Sequence, residues 1–175
     1  MNNLSFHITD ITANSIRANA SEIGLSVEEQ DTRIVIRITD NGLGMDAETA
    51  RRVTNPFYTT RTTRKVGLGL PFLIQNAEQT GGSVTLTSEP GKGTEVRAVF
   101  HSDHIDCPPW GDLPGTVALL ITGNPEINVC FEYRSGETGY SISTNEIKEI
   151  LDGVPLSHPK VMLLIKEMIK ENLRS

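Results

Sequence analysis

Cysteine is scarce: Cys107 and Cys130 are the only two in 175 residues. Two thiols do not build a disulfide framework, and no Cys-x-x-Cys pair is present to grip a metal. They are read as reduced thiols, one in a loop and one in a core, as expected of a cytoplasmic chain. Long apolar runs are lacking too; none approaches the roughly 20 residues that a membrane span needs. The opening stretch, Met1 to His7, has neither a basic n-region nor an apolar h-region, so no secretion signal is expected. Positive charge is in deficit. The net charge of −6 means that the chain as a whole would repel nucleic acid and anionic membranes. There is no internal repeat and no low-complexity tract. What remains is one domain, or one domain with a small appendage, whose 37% of apolar residues suffice for a modest core.

Hydrophobic spacing sketches the elements. Ile8, Ile11, Ser15 and Ala18 recur at helical spacing, so residues 7–20 read as a helix. Residues 33–39 alternate and are rich in β-branched side chains, which predicts a strand. Asp46 is a plausible cap for a short helix over 46–53. Pro71 suits the start of a helix that stops at Gly81 and Gly82. Residues 83–88 and 94–100 read as two strands of a hairpin. Residues 101–115 are rich in Pro and Gly and read as a linker. Beyond it, residues 116–121 read as a buried strand. Ile127, Val129, Phe131 and Tyr133 alternate and turn into a second hairpin strand over 139–143. Ser143 and Glu146 form a capping box for a short helix, and Pro159 opens a last amphipathic one.

Against this background a few residues carry chemistry. Asp10 and Asn14 are four apart, hence on one helix face. An amide oxygen is a hard ligand that Mg2+ accepts, and Mg2+ takes few protein ligands beside phosphate and water. Asn14 fits that single role, and Asp10 fits a base that orients an incoming hydroxyl or water. The pair also suits an ordinary polar helix face. Asp40 ends a strand and is followed by Gly42 and Gly44. Its carboxylate accepts only, so it can take a hydrogen bond from the exocyclic amine of adenine, and the glycines let the backbone bend towards the base. The same residues also spell a turn. Gly67, Leu68, Gly69 and Leu70 precede Pro71, and a helix start with exposed N–H groups attracts anions; a hinge before a core helix has the same spelling. Between Arg51 and Lys65 lie five basic residues and no acidic one. That run reads as an anion contact or as a solvated basic face.

Taken together, the ordered segments resemble the GHKL superfamily of gyrase B subunits, heat-shock chaperones, histidine kinases and mismatch-repair MutL. Asp10 and Asn14 fall on its N box, with Ser15 where Ala is usual. Asp40, Gly42 and Gly44 fall on the G1 box, and residues 56–60 look like the F box of histidine kinases. Gly67, Gly69 and Leu70 fall on the G2 box, and Gly91, Gly93 and Thr94 on the Gly-x-Gly-Thr turn. The match spans about residues 5–100 and comes nearest to histidine-kinase catalytic domains. It implies the Bergerat fold, a two-layer α/β sandwich with helices on one face of a mixed sheet. A histidine-kinase-like ATP-binding domain is expected over 1–100, a linker over 101–115, and a small C-terminal α+β appendage (a hairpin plus two helices) over 116–175. ATP would lie between the N-box helix and a basic loop over 59–66. Asn14 would carry Mg2+. The other nucleotide contacts would be Ala18, Asp40, Gly42, Gly44, Met45, Phe57, Tyr58, Arg61, Arg64, Lys65, Gly67, Leu68, Gly69, Leu70 and Thr94.

The chain departs from that pattern in two ways. No histidine-bearing dimerisation segment precedes the N box, which suggests a stand-alone catalytic domain. Asp10 replaces the usual Asn or His, and a carboxylate there is more like hydrolytic members or serine kinases. The expected activity is Mg-dependent phosphotransfer to a partner protein in trans. The alternatives are an ATPase conformational switch, and a nucleotide-sensing interaction module with negligible turnover.

Overall fold

The computed structural model describes residues 3–55 and 69–173. Helix α1 (Leu4–Arg17) opens the fold, capped by Asn3, whose side chain accepts from Phe6 N. Strands β1 (Glu22–Gln30) and β2 (Arg33–Asp40) follow. Then come helices α2 (Ala47–Thr54) and α3 (Gly69–Gln79), and the hairpin of β3 (Ser83–Glu89) and β4 (Gly93–His101). The C-terminal part contributes α4 (Leu113–Thr122), β5 (Asn128–Ser135), β6 (Thr138–Ser143), α5 (Thr144–Leu151) and α6 (Pro159–Leu173).

The strands form one mixed sheet in the order β3-β4-β2-β1-β5-β6, parallel only between β1 and β5. Because side chains alternate along a strand, register decides which row meets the core. Leu86, Val96, Ile38, Leu25, Phe131 and Ile142 stand side by side across the whole sheet. That row is apolar and almost entirely buried. The next row, Thr87, Glu95, Thr39, Gly24, Cys130 and Ser143, is polar. An apolar face against helices and a polar face towards water is the mark of a two-layer sandwich. Helix α1 packs on β2, α3 on β3 and β4, and α4 on β5 and α6. The fold class expected from the sequence is therefore the observed one.

Three local readings change. Residues 22–30, which the sequence pattern left unassigned, form β1, a central strand whose Ile23, Leu25 and Val27 alternate inwards. Residues 116–121, expected as a strand, lie inside α4. Asp112 caps that helix by accepting from Gly115 N at 3.0 Å, and Pro114 occupies its first turn, both of which favour a helix start. Helix α3 begins at Gly69, ahead of Pro71; proline in a first turn removes an N–H that has no intrahelical partner anyway.

The segment before α4 is tied to the start of α1. Leu4 N donates to Pro109 O at 2.9 Å, and Ser5 N and Oγ both donate to Trp110 O, at 3.0 and 2.6 Å. The first N–H groups of a helix have no internal acceptor, and here carbonyls from residues 109 and 110 supply it. The Trp110 indole N–H and the Tyr133 hydroxyl both donate to the Glu29 carboxylate. That single carboxylate joins β1, β5 and the connecting segment.

Candidate functional site

Helix α1 and the loop after β2 enclose a cavity of about 200 Å³. The loop is docked on the helix by close backbone approach. Leu43 N donates to Ala18 O at 2.9 Å, and a Cβ on Gly42 would sit 2.7 Å from that same oxygen. Only glycine fits there. Gly44 has φ +73°, and a Cβ on it would lie 2.0 Å from Glu89 O. Gly93 has φ +122°, and a Cβ on it would lie 1.9 Å from Asp40 O. The glycines thus press the loop after β2 between α1 and the β3–β4 turn.

Asp40 ends β2 at the cavity wall, half-buried. Its Oδ1 accepts from Gly42 N at 2.9 Å, and its Oδ2 accepts from the Ser15 hydroxyl at 2.6 Å. Asn41 points the other way and staples the loop to the start of β1, accepting from Ser21 N and Glu22 N at 2.9 Å each. On the far side Ser88 links the walls. Its hydroxyl receives Met45 N at 2.8 Å and lies 2.8 Å from Thr94 Oγ1. The rest of the wall is apolar, with Ile11, Ile38, Leu43, Val53 and Val96. An apolar slot with a few placed polar groups suits a flat heterocycle.

The polar end of the cavity belongs to α1. Asn14 and Arg17 line its mouth, and the Arg17 guanidinium donates to Asn14 Oδ1. Asp10 lies one turn earlier and faces the start of α3: a Cβ on Gly69 would be 2.8 Å from Asp10 Cβ. Burial raises the Asp10 carboxyl above the ordinary carboxylate range, while Arg17 draws it down. His7, a further turn back, is buried, with its Nε2 2.7 Å from Asn76 Nδ2. Burial lowers its imidazole to about 4, so the ring is neutral at neutral pH. It joins α1 to α3 and is too enclosed to receive a phosphate.

The structure brings most of the described sequence-chosen residues to one place. Asn14, Ala18, Asp40, Gly44, Met45, Leu70 and Thr94 line the cavity, Gly42 shapes it from behind, and Asp10 abuts Gly69 beside it. Phe57, Tyr58, Arg61, Arg64, Lys65, Gly67 and Leu68 lie outside the described residues. Sequence reasoning missed Ser15, Arg17 and Ser88 as parts of the site. Ser15 is one residue beyond the chosen Asn14, but its partner Asp40 is distant in sequence, and only the fold shows the pairing.

The family model for the histidine kinase-, DNA gyrase B-, and HSP90-like ATPases matches residues 3–104. The chain belongs to that family. It therefore carries an ATP-binding domain of the histidine-kinase type. A putative sensor protein of Shewanella frigidimarina is 32% identical over 97 residues, which is 53% of this chain and 15% of that protein. The sensor histidine kinase YxdK of Bacillus subtilis is 29% identical over 104 residues, 55% of this chain and 32% of its own length. Sporulation kinase E of the same organism is 40% identical over 73 residues, 42% of this chain and 9% of that one. The chain thus spans less than a third of the length of these relatives. Among solved structures, the N-terminal domain of a DNA repair protein superposes with a TM-score of 0.58 at 18% identity, over 81% of this chain and 51% of that one. That likeness shows the shared fold. The match to the family ends before α4, so α4 to α6 and the β5–β6 hairpin lie beyond it. No described helix is long and apolar enough to cross a membrane.

Proposed function

We propose that this domain uses Mg-ATP to phosphorylate a partner protein in trans. The observation that carries the reading is that two oxygen-bearing side chains, Asp40 and Asn14, line one apolar cavity, with Asp10 one helical turn from Asn14 against the start of α3. Adenine would enter the slot and donate its exocyclic amine to Asp40. The triphosphate would leave by the mouth, where Arg17 supplies a cation and the N–H groups of the first turn of α3 supply donors. Arg61, Arg64 and Lys65, together with Phe57 and Tyr58 and the Gly67-Leu68 pair, are proposed as further contacts on sequence grounds.

The residues present fit a magnesium ion. Among the described residues no group of three or more His, Cys, Asp or Glu side chains could hold a metal. An ion here would therefore depend on one amide oxygen, Asn14 Oδ1, with phosphate and water completing its shell, as Mg2+ prefers. That oxygen now accepts from Arg17, so Arg17 would turn away towards phosphate. The ion would supply charge neutralisation at the phosphates. Asp10 would accept the proton of the incoming side chain. A carboxyl raised by burial is a stronger base than an exposed one, and the shift on Asp10 has that direction.

The test is to incubate the chain with γ-labelled ATP, magnesium and a co-purifying protein. Label on the partner, abolished by Asp10→Asn with ATP binding retained, is the expected result. Release of free phosphate alone would replace this reading with an ATPase switch. Tight binding without any turnover would replace it with a nucleotide-sensing module.

A further inference from the structure

We propose that the Ser15 hydroxyl sets how strongly this site favours purines that carry an exocyclic amine, by fixing the Asp40 carboxylate. This rests on the reading of Asp40 as the acceptor for adenine. Hydroxyls on a helix commonly bond back to their own backbone. On α1 two of them do: Thr9 Oγ1 donates to Ser5 O at 3.1 Å and Thr12 Oγ1 to Ile8 O at 2.8 Å. Ser15 behaves differently. It is 2% exposed, and its hydroxyl crosses from α1 to the end of β2, donating to Asp40 Oδ2 at 2.6 Å.

The consequence lies in the geometry of the carboxylate. The terminal torsion of an aspartate is broad and easily turned. Gly42 N holds Oδ1 from the loop side, and one anchor leaves the group free to pivot. A second anchor on Oδ2 fixes the plane, and with it the direction of the lone pairs that remain for a ligand. An alanine, the residue usual at this position of the motif, offers no such donor. Ser15 is therefore a positioning residue: it reaches the base only through Asp40. A carboxylate whose acceptor lone pairs are set before the ligand arrives spends less of the interaction on ordering.

The experiment compares two nucleotides, ATP and purine riboside triphosphate, which has the same ring system without the amine. Affinities are measured by calorimetry with magnesium for the parent and for Ser15→Ala and Ser15→Cys. The alanine variant should weaken ATP binding by about threefold to tenfold, the range of one ordinary hydrogen bond, and leave the analogue unchanged. The cysteine variant, similar in size with a weaker donor, should fall between parent and alanine, and it carries the same test should the alanine variant fail to fold. Equal losses for both nucleotides, or no loss for either, would overturn the proposal, because a merely structural serine does not sense the amine. A parent that binds the two nucleotides equally would instead remove Asp40 as the acceptor, and this inference with it.

Discussion

Replacing Asp40 with Asn tests the site most directly, because the two side chains are nearly isosteric. The carboxylate receives Gly42 N–H on one oxygen and the Ser15 hydroxyl on the other. An amide has one oxygen. The backbone N–H cannot reverse, so that oxygen must stay with Gly42. The NH2 group then faces Ser15, whose hydroxyl can rotate and accept. The fold is thus preserved, and the thermal midpoint should barely move. The cavity side fares differently: the exocyclic amine of adenine now meets a donor. Losing a charged acceptor costs about 1.5–3 kcal/mol, and an unpaired donor adds about 1–3 kcal/mol. A total of about 2.5–6 kcal/mol weakens binding by about a hundredfold or more. Calorimetry with ATP and magnesium on parent and variant reads this as a change in Kd. A variant that stays within about threefold of the parent would refute the assignment of Asp40 and the orientation of the base.

Three further outcomes are expected. Gly44→Ala meets both a left-handed backbone and the Glu89 carbonyl, so urea denaturation should show a loss of more than about 2 kcal/mol. His7, lowered from 6.5 to about 4, lets the unfolded chain take up the proton first; stability is complete above pH 6.5 and falls as pH drops towards 4, by up to about 3 kcal/mol. His7→Gln should flatten that slope in urea titrations at stepped pH. The Tyr133 hydroxyl is pushed up to about 12, first by burial and then by Glu29, so its share of stability is complete below pH 10 and is lost between pH 10 and 12. Glu29→Gln should move its phenolate absorbance to lower pH, while an unchanged titration would place the cause in burial alone.

Much of this was legible in the sequence, because the elements around the cavity carry strong local signals. Alternation marks β2, Asp46 caps α2 by accepting from Thr49 N, and positive-φ glycines sit where the chain must turn. The failures have physical causes as well. The run from Thr116 to Ile121 is apolar on all sides, so its periodicity could not separate a buried strand from a buried helix. The cue that decides it, Asp112 with Pro114, falls inside the Pro- and Gly-rich stretch that reads as a linker. Strand β1 carries Glu28, Glu29 and Gln30 at its end, which weakens a propensity argument, although tertiary pairing on both edges overrides it. In the site, the ligand-type residues could be named one by one. The partners that hold them, Ser15 for Asp40 and Ser88 for Thr94, are set by the register of β2 and of the β3–β4 hairpin.

The two carbonyls at Pro109 and Trp110 have a bearing on how this protein is cut for study. The family resemblance stops at residue 104, and scissors guided by it would remove the acceptors for the opening amides of the very helix that bears Asp10 and Asn14. Such a shortened chain would fray at the first turn of α1, at Leu4 and Ser5. Ancestry draws its border at one place and mechanics at another, and the tail past that border holds down the first turn of the helix whose other end lines the cavity.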